Sequence, residues 1–406
     1  MGLGVKMIDY FDELLKQPSL FKEESKLDLN FIPEKLPHRE KELYLLSQLF
    51  LTLITNPNST SRKILITGKT GVGKTVTVKS FGKILLEASI KRHLFVKYVH
   101  INCRKERTSY KVLIKIVRTI DEKFPKRGYS PQDLLDIIID HLNNKDYHLL
   151  IVLDELSYLI NNGEDLIYSL TRLNDDSINT QQRVSIIGIV RELSCLSNLD
   201  TSTLSTLQRN IIEFKNYSRE EVFDILKYRA TISLIDSAIS DEILGMVADF
   251  VYKKGDIRFG LNLIWRAVKI AENKRLQHLS AECIRLGNQD LVPFSTQDIL
   301  NCLSIPKLVF LLSIIRSLKF SEEEAISIAK IMDYYEIICE NSEISSRSPS
   351  QLWNYLQEFK RDNLISVNIQ SEAIKGRKGL IQILDISLNK FEKVILELLD
   401  SKGLKL

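Results

Sequence analysis

A glycine-rich octapeptide limits, more than any other feature, how this chain can fold. It reads Gly68-Lys69-Thr70-Gly71-Val72-Gly73-Lys74-Thr75 and matches G-x-x-x-x-G-K-[ST] in full, directly after the apolar run 64–67 and before a helical pattern. The glycines let the backbone curve so that several N–H groups point inward, and the positive end of the following helix adds to that field. The octapeptide therefore predicts a nucleotide phosphate site between a strand and a helix.

Two side chains of the octapeptide have separate predicted roles. The ammonium group of Lys74 is expected to reach the β- and γ-phosphates, and the hydroxyl of Thr75 is expected to bind Mg²⁺. The alternative is a chance glycine-lysine turn, which the flanking strand and helix patterns argue against. The predicted nucleotide-binding residues of the loop are Gly68, Lys69, Thr70, Gly71, Val72, Gly73, Lys74 and Thr75.

A second apolar run, residues 149–153, ends in two adjacent carboxylates, Asp154 and Glu155. Beside a phosphate site, Asp154 is expected to hold Mg²⁺ through water and Glu155 to polarise the attacking water. Taken alone, such a pair is more often a helix N-cap. With the glycine loop upstream, Asp154, Glu155 and Lys74 become candidate catalytic residues.

A third motif, Gly255-Asp256-Ile257-Arg258, lies between two helical patterns. Arg258 could reach across to the γ-phosphate and couple the position of a lid to the nucleotide state, which makes it a fourth catalytic candidate. The alternative is an Asp256 N-cap with a solvated Arg258.

The order of patterns along the chain predicts three parts. Five apolar runs alternate with amphipathic helices, which indicates a mainly parallel sheet with helices on both faces. The runs are 63–67, 95–101, 149–153, 184–190 and 211–214. Residues 218–286 show helical periodicity alone, and 287–293 resemble a linker. From about residue 300, three helical patterns precede strand-like runs at 364–369 and 380–386, joined by the basic turn 375–379, which is the outline of a winged helix. The predicted domains are 1–216, 217–290 and 300–406.

Composition narrows the class of protein. The chain has 406 residues and a net charge of +4, too weak a field for nucleic-acid binding except through local patches. The longest apolar stretches run about eight residues, against roughly 20 needed to span a bilayer. The five cysteines are scattered and never form a C-x-x-C pair, so reduced thiols are expected. These features predict a cytoplasmic protein without a membrane partner.

Together the motifs resemble the AAA+ ATPases, and more narrowly the archaeal Orc/Cdc-type replication initiators. The resemblance is carried by the segment 32–40, the glycine loop, the strand end 100–104, the pair Asp154-Glu155, the segment 255–260 and the C-terminal winged-helix pattern. It implies an α/β P-loop AAA+ core with a five-stranded parallel sheet, a helical lid and a C-terminal winged-helix domain. It also implies ATP or ADP with Mg²⁺, with Ile32, Pro33, Arg39, Tyr217 and Arg258 as further nucleotide-binding residues.

The function implied by this resemblance is recognition of double-stranded origin DNA and help in loading the replicative helicase, together with paralogous initiator subunits. A protein with this function is expected to be associated with the nucleoid. One alternative is a remodelling or clamp-loader-like ATPase that acts on protein. Another is a winged-helix signalling NTPase that regulates transcription, a class that generally lacks the lid arginine that Arg258 represents.

Two positions depart from the family pattern. The strand 184–190 should end near a polar residue, usually Asn, but the register gives Arg191. The arginine finger is expected after an Asp-Pro pair, but the register gives Ser202 unless the alignment shifts to Arg209. Such a finger accelerates hydrolysis by about 10³–10⁵ where it operates. The sequence therefore predicts a weak ATPase at most, with nucleotide as a slow switch.

The resemblance points to two DNA-binding elements. The segment 348–361 would be the recognition helix, with Ser350, Gln351 and Asn354 facing base edges, and the basic turn would place Lys375, Arg377 and Lys378 against backbone or minor groove. Lys126 and Arg127 lie where these initiators carry an extra helix and are candidates for phosphate contact. A solvated turn and a plain surface loop are the respective alternatives.

Overall fold

The computed structural model describes residues 18–145, 147–160, 164–173, 182–207, 210–289, 294–321, 325–342, 344–362, 364–372, 376–383 and 388–404. The chain forms two compact units, Met1–Gly287 and Asn288–Leu406. Each unit buries hydrophobic clusters of its own.

A five-stranded sheet forms the centre of the first unit. Its strands are β1 (Lys63–Thr67), β2 (Val96–Asn102), β3 (His148–Asp154), β4 (Val184–Ile189) and β5 (Ile211–Glu213). They lie in the order β2-β3-β4-β1-β5, and every neighbouring pair is parallel. Each observed strand begins and ends within one residue of the predicted run, so the predicted parallel sheet is confirmed.

Both faces of the sheet are covered along its central strands, which explains why β1, β3 and β4 are apolar without alternation. Along β1, Leu65 enters one core cluster while Ile64 and Ile66 enter the other. The helices of this part are α1 (Glu40–Leu49), α2 (Leu51–Thr55), α3 (Lys74–Ile90), α4 (Ser109–Ile120), α5 (Pro131–Lys145), α6 (Ser157–Ile160), α7 (Glu164–Arg172) and α8 (Thr201–Leu207). Two 3₁₀ turns, Glu24–Leu27 and Leu193–Asn198, complete it.

A helical lid ends the first unit. Its helices are α9 (Arg219–Ser233), α10 (Asp241–Lys254), α11 (Ile257–Asn273) and α12 (Ala281–Gln289). Ser218 and Glu221 form a capping box at the start of α9, and Gly255 ends α10 in the left-handed conformation at φ 70°. Asp256 then caps α11. These caps place the loop 255–258 at a fixed corner between two helices.

The first described residues pack against the lid. Phe21 forms a β-bridge with Leu234, and the guanidinium of Arg229 donates hydrogen bonds to the carbonyls of Lys26 and Asp28. Since Arg229 is only 7% exposed, these bonds satisfy a charge that burial would otherwise penalise.

The second unit has the elements of a winged helix. They are α13 (Phe294–Cys302), α14 (Ile305–Ser321), β6 (Ile326–Ser327), α15 (Ile328–Asn341), α16 (Pro349–Arg361), β7 (Ile365–Glu372), β8 (Gly376–Ile383) and α17 (Leu388–Ser401). The strands form an antiparallel sheet in the order β6-β8-β7. The predicted helices and hairpin are present, but the sequence analysis missed β6 and the last helix, α17, which contributes Phe391, Ile395 and Leu399 to the core.

The predicted basic turn is wrong in its bounds. Strand β8 begins at Gly376, so Arg377 and Lys378 lie within the strand, in register with Ser371 and Gln370 of β7. Glycines near both ends of the run 375–379 indicated a turn, but charged positions between them are equally compatible with a hairpin strand. Lys375 lies outside the described residues.

Among the helices in the described ranges, none is both long enough and apolar enough to cross a bilayer.

Removal of the Phe391 ring tests whether α17 is part of the winged-helix core. Phe391 is 0% exposed, and a buried Phe→Ala change typically destabilises by about 3–5 kcal/mol through reduced burial and a cavity. Phe391→Ala should lower the midpoint of one thermal transition measured by calorimetry. The exposed neighbour Lys393, changed to Ala, is the control and should leave the midpoint within error. Equal midpoints for Phe391→Ala and wild type would show that α17 does not stabilise this unit.

Candidate functional site

The glycine loop connects β1 to α3 in the predicted strand-loop-helix arrangement. Gly68, Gly71 and Gly73 adopt φ values of 143°, 82° and 89°, a region that side chains disfavour. Gly73 is the N-cap of α3, so the first amides of that helix face the loop. The sequence pattern and the backbone conformation agree at each glycine.

The same three glycines also let other elements approach the loop closely. A side chain at Gly68 would collide with the carbonyl of Phe214, and one at Gly71 with Asp256 of the lid. At Gly73, an added Cβ would lie 2.6 Å from the hydroxyl of Tyr217. The loop is therefore in contact with the end of β5, the segment after it and the corner of the lid.

Lys74 lies inside this loop. Its ammonium group donates to the carbonyl of Gly68 and, at 2.7 Å, to that of Lys69. Burial lowers the pKa of Lys74 to about 8; the charges of Glu155 and Asp154 oppose this shift, while two arginines reinforce it. The predicted phosphate-binding ammonium and both predicted carboxylates are thus within electrostatic reach of one another.

Asp154 ends β3 and is 5% exposed. Its Oδ2 accepts a hydrogen bond from the Thr75 hydroxyl at 2.8 Å and lies 3.1 Å from Nε2 of His100. Burial raises the pKa of Asp154, but hydrogen bonds from His100, Thr75 and the Glu155 amide outweigh it and hold the pKa below its ordinary value. The two residues predicted to bind Mg²⁺ are therefore adjacent, and Asp154 is a carboxylate at neutral pH.

Two residues of β2, Tyr98 and His100, support Asp154, a role that the sequence does not assign to them. The hydroxyl of Tyr98 lies 3.0 Å from Nδ1 of His100, whose other ring nitrogen faces Asp154. The sequence gives little signal for this role, because β2 also carries the polar residues Lys97 and Asn102. The relation of Tyr98 and His100 to Asp154 depends on the pairing of β2 with β3, which periodicity alone does not give.

Glu155 follows in an unusual backbone conformation. Its φ is 55°, in the left-handed region that costs a non-glycine residue about 1–2 kcal/mol. Its N–H donates to Oδ1 of Asp154 at 2.9 Å, and its Oε1 accepts from Nη2 of Arg191 at 3.2 Å. Arg191, the residue that departs from the family pattern, thus ion-pairs with the predicted base.

Arg258 lies at the lid corner, held by the carboxylate that caps its helix. Its Nε donates to Oδ1 of Asp256 at 3.1 Å and its Nη2 to Oδ2 at 3.0 Å, while the Arg258 amide also donates to Oδ1. The N-cap that the sequence analysis weighed as an alternative is present, and Asp256 also contacts the glycine loop. Contact between Arg258 and a γ-phosphate stays a prediction.

Arg39, which the resemblance assigns to nucleotide, is hydrogen-bonded within the protein, and its contact with nucleotide stays a prediction. Its five N–H groups make five hydrogen bonds within the protein, to the carbonyls of Val72 (twice), His38 and Lys215 and to the carboxylate of Glu42. These bonds use every donor of this 5% exposed side chain. Arg39 therefore braces the glycine loop against α1 and the segment after β5.

The other residues that the resemblance assigns to nucleotide lie next to Arg39 or along the lid. The Tyr217 ring lies 3.9 Å from the Arg39 guanidinium, and burial raises the pKa of Tyr217 to about 12. Pro33 is buried and Ile32 half-buried, and the nearby amide of Lys35 donates to the lid hydroxyl of Tyr228 at 3.4 Å. Their contact with nucleotide stays a prediction.

Ser202, where the arginine finger was expected, lies in the first turn of α8. Arg172, at the end of α7, donates a hydrogen bond to the Ser202 hydroxyl and lies 4.6 Å from the Tyr168 ring. An arginine is thus present beside the expected position. It comes from another helix, so the position expected from the family pattern along the chain does not point to it. Arg209 lies outside the described residues.

The predicted recognition helix begins one residue later than expected, at Pro349. Ser350, Gln351 and Asn354 are exposed, and the opposite face buries Leu352, Leu356 and Phe359. Gln351 also accepts a hydrogen bond from the Ser348 amide at 3.4 Å in a capping box, so part of its bonding capacity is used within the helix.

Lys126 and Arg127 are exposed on the loop between α4 and α5. The loop is held by the packed rings of Phe124 and Tyr129, 4.7 Å apart, and by a 2.8 Å hydrogen bond from the Tyr110 hydroxyl to the Lys126 carbonyl. These contacts hold the backbone of the loop in place, and the side chains of Lys126 and Arg127 are exposed on it.

Comparison with known proteins decides the family. The chain is 31% identical over 386 residues to the ORC1-type DNA replication protein 2 of Sulfurisphaera tokodaii, and the match covers 92% of each chain. The chain belongs to the ORC1-type DNA replication proteins. Another relative of this ORC1-type chain, from Sulfolobus acidocaldarius, is 32% identical over 385 residues and again 92% of each chain is covered.

Family models match three successive parts of the ORC1-type chain. They are an AAA domain over residues 57–193, a Cdc6 AAA+ ATPase-type lid domain over 223–289 and a CDC6 C-terminal winged helix domain over 298–394. The predicted resemblance and the predicted fold class are confirmed: an α/β P-loop AAA+ core, a helical lid and a winged-helix domain.

Solved structures agree with this architecture. The Aeropyrum pernix ORC1 protein, solved in complex with DNA, matches with a TM-score of 0.80 at 23% identity over 93% of this chain and 97% of its own, a likeness that shows the fold. Cdc6p from Pyrobaculum aerophilum matches with a TM-score of 0.62 at 26% identity over 95% and 100%. The ORC1-type chain is a nucleotide-binding replication initiator, as its sequence predicts.

The lowered pKa of Lys74 predicts that nucleotide affinity depends on pH. Phosphate binding favours the charged ammonium, and the protein without nucleotide loses that charge as the pH rises through about 8. The dissociation constant for ADP should therefore increase above that pH, by up to about tenfold per pH unit. Calorimetric titrations from about pH 6.5 to about pH 9.5 would measure this dependence.

Lys74→Arg is the matched control, because a guanidinium keeps its charge throughout this range. The affinity of Lys74→Arg for ADP should vary little with pH. Any pH dependence caused by titration of ADP itself would be the same for both proteins, so the difference between them reports the charge of Lys74. A wild-type affinity that is constant across the range would show that the Lys74 charge does not govern binding.

Proposed function

We propose that this chain recognises double-stranded origin DNA through its winged helix and its AAA+ core, and that bound ATP or ADP with Mg²⁺ acts as a slow switch. The observation that carries the proposal is the contact between the lid and the phosphate loop. Asp256 lies against Gly71, and the same carboxylate holds Arg258.

This contact gives a physical route from nucleotide to lid. A γ-phosphate offers Arg258 a second anionic partner in competition with Asp256, whereas ADP does not. If Arg258 moved from Asp256 to the γ-phosphate, the conformation of the loop 255–258, from which α11 begins, would change. The lid would therefore respond to the third phosphate without any need for rapid hydrolysis.

The donor set at Asp154 suits Mg²⁺. Mg²⁺ is commonly held by one or two protein oxygens together with water and substrate phosphates. The hydroxyl of Thr75 and the carboxylate of Asp154 are 2.8 Å apart beside the loop, and both are oxygen donors. When bound, the ion would neutralise charge on the phosphates. His100, itself hydrogen-bonded to the Tyr98 hydroxyl, keeps the Asp154 carboxylate oriented.

Slow hydrolysis is consistent with the residues around Glu155. Glu155 is the proposed base for the attacking water, while Lys74 and Arg258 would stabilise charge on the phosphates. The position that usually holds Asn is Arg191, which is paired with Glu155, and Ser202 stands where a finger is expected. We therefore assign the nucleotide a switching role.

The winged helix supports direct reading of DNA by its chemistry. Ser350 and Asn354 lie on the exposed face of α16, where hydroxyl and amide groups can bond base edges in the major groove. Lys360 and Arg361 are exposed at the end of the same helix. The remaining cations proposed to contact phosphates are Lys126 and Arg127 of the core and Lys375, Arg377 and Lys378 of the hairpin.

The proposed partners are origin DNA, paralogous initiator subunits and the replicative helicase, which this protein would help to load. Assembly with another initiator would also allow a second chain to supply catalytic groups in trans.

DNA titrations at several salt concentrations test the proposal. Asn354→Ala should reduce discrimination between a selected site and random duplex by about 1–3 kcal/mol, with little change in salt dependence, because it removes a base contact. The triple variant Lys375→Ala, Arg377→Ala, Lys378→Ala should instead reduce the magnitude of the slope of log K against log salt. The reduction should be about 0.9 for each phosphate that is no longer neutralised.

Lys393→Ala is the matched control, an exposed cation on another helix of the same unit, and should behave as wild type. If wild type prefers no duplex and the triple variant binds like wild type, the winged helix is a protein-docking module. The remodelling ATPase would then be the better account.

A further inference from the structure

Arg191 is fixed at the base of the phosphate loop by its backbone. Its carbonyl accepts hydrogen bonds from the Gly68 amide at 3.3 Å and the Thr67 hydroxyl at 3.4 Å. It follows the end of β4, in the centre of the sheet between β3 and β1. The side chain therefore starts from a rigid point beside the predicted catalytic carboxylates.

The backbone of Glu155 is equally constrained. Its amide donates to Asp154 Oδ1, and the next amide, that of Leu156, donates to the Ile189 carbonyl of β4 at 2.9 Å. The left-handed φ of 55° is held between these two bonds. Only the side-chain torsions of Glu155 are then free to reorient its carboxylate.

The ion pair between these residues is partly shielded from water. The side chains of Arg191 and Glu155 are 32% and 24% exposed, and Nη2 lies 3.2 Å from Oε1. The second carboxylate oxygen, Oε2, is buried and accepts no hydrogen bond from the described residues. Partial burial strengthens such a pair relative to one on an open surface.

We propose that Arg191 is a positioning residue that holds the Glu155 carboxylate in an ion-paired orientation, and that this pair must open before ATP is hydrolysed. This inference rests on the proposed function, which assigns Glu155 as the base. In that reaction the water oxygen bonds to the γ-phosphorus while the bond to the ADP oxygen breaks, its electrons leaving with ADP. Glu155 accepts a proton from the water and then releases it to the phosphate or to solvent.

The chemistry of position 191 explains why hydrolysis would be held back. The shorter, neutral Asn that the family pattern places there cannot form an ion pair with a carboxylate. Arg191 can form this ion pair, and separating its charge from that of Glu155 adds to the activation barrier for ATP hydrolysis. A γ-phosphate is an anion that competes with Glu155 for the guanidinium, so ATP would open the pair more readily than ADP.

Single-turnover hydrolysis by the full-length protein tests this role. Arg191→Asn should raise the rate constant for hydrolysis by about fivefold or more, with the affinity for a fluorescent ADP analogue changed less than about twofold. Arg191→Lys keeps a charge but loses the planar fork, so the rate constant for hydrolysis should rise by less. This second variant keeps the test valid if Arg191→Asn fails to fold. Arg92→Asn, an exposed arginine after α3, is the matched control and should be neutral.

The double variant Arg191→Asn, Glu155→Gln should hydrolyse no faster than Glu155→Gln alone, because the gain passes through Glu155. An unchanged or slower rate for both Arg191 variants, with ADP affinity retained, would overturn the proposal. If Lys74→Ala bound ADP as tightly as wild type, the nucleotide site itself would be wrong, which is a separate failure of the proposed function.

Discussion

The contact between Gly71 and Asp256 is the constraint on which the site depends. It requires a glycine with positive φ, because a side chain at position 71 would occupy the space of the Asp256 carboxylate. Asp256 simultaneously caps α11 and binds Arg258 through two oxygens. One carboxylate therefore links the phosphate loop, the lid helix and the arginine proposed to report the γ-phosphate.

The electrostatics of the site follow from three cations and three carboxylates in a small volume. Arg258 pairs with Asp256 and Arg191 with Glu155, while Asp154 is held by neutral donors and by His100. Lys74, among carbonyls, has its pKa lowered to about 8, chiefly by burial. Each pair is a place where an anionic phosphate can exchange with a carboxylate, which is the behaviour expected of a switch.

Local patterns predicted most of the fold and the position of the glycine loop. The strands were found because parallel strands buried on both faces form continuous apolar runs, and the loop was found because its backbone requires glycines at fixed spacing. The last helix, α17, follows the hairpin and is not predicted, because the outline of three helices and a hairpin is complete without it. The predicted bounds of the hairpin are wrong because Gly376 and Gly379 indicate a turn where the structure has a strand.

What could not be predicted depends on contacts between residues distant in sequence. A family motif at Arg39 does not show that carbonyls 33 and 176 residues away accept hydrogen bonds from its guanidinium. The arginine beside Ser202 comes from a different helix, 30 residues earlier. The pairing of Arg191 with Glu155 similarly arises from the sheet order, since β3 and β4 are neighbours.

The central claim is that the lid senses nucleotide through Asp256 and Arg258, and hydrogen exchange at the start of α11 tests it most directly. The account predicts that a non-hydrolysable ATP analogue changes the exchange of the amides around residues 256–262 relative to ADP. It also predicts that Arg258→Ala shows no such difference, while it should still bind ADP through the glycine loop. Equal exchange in wild type with ADP and with the analogue would contradict the account.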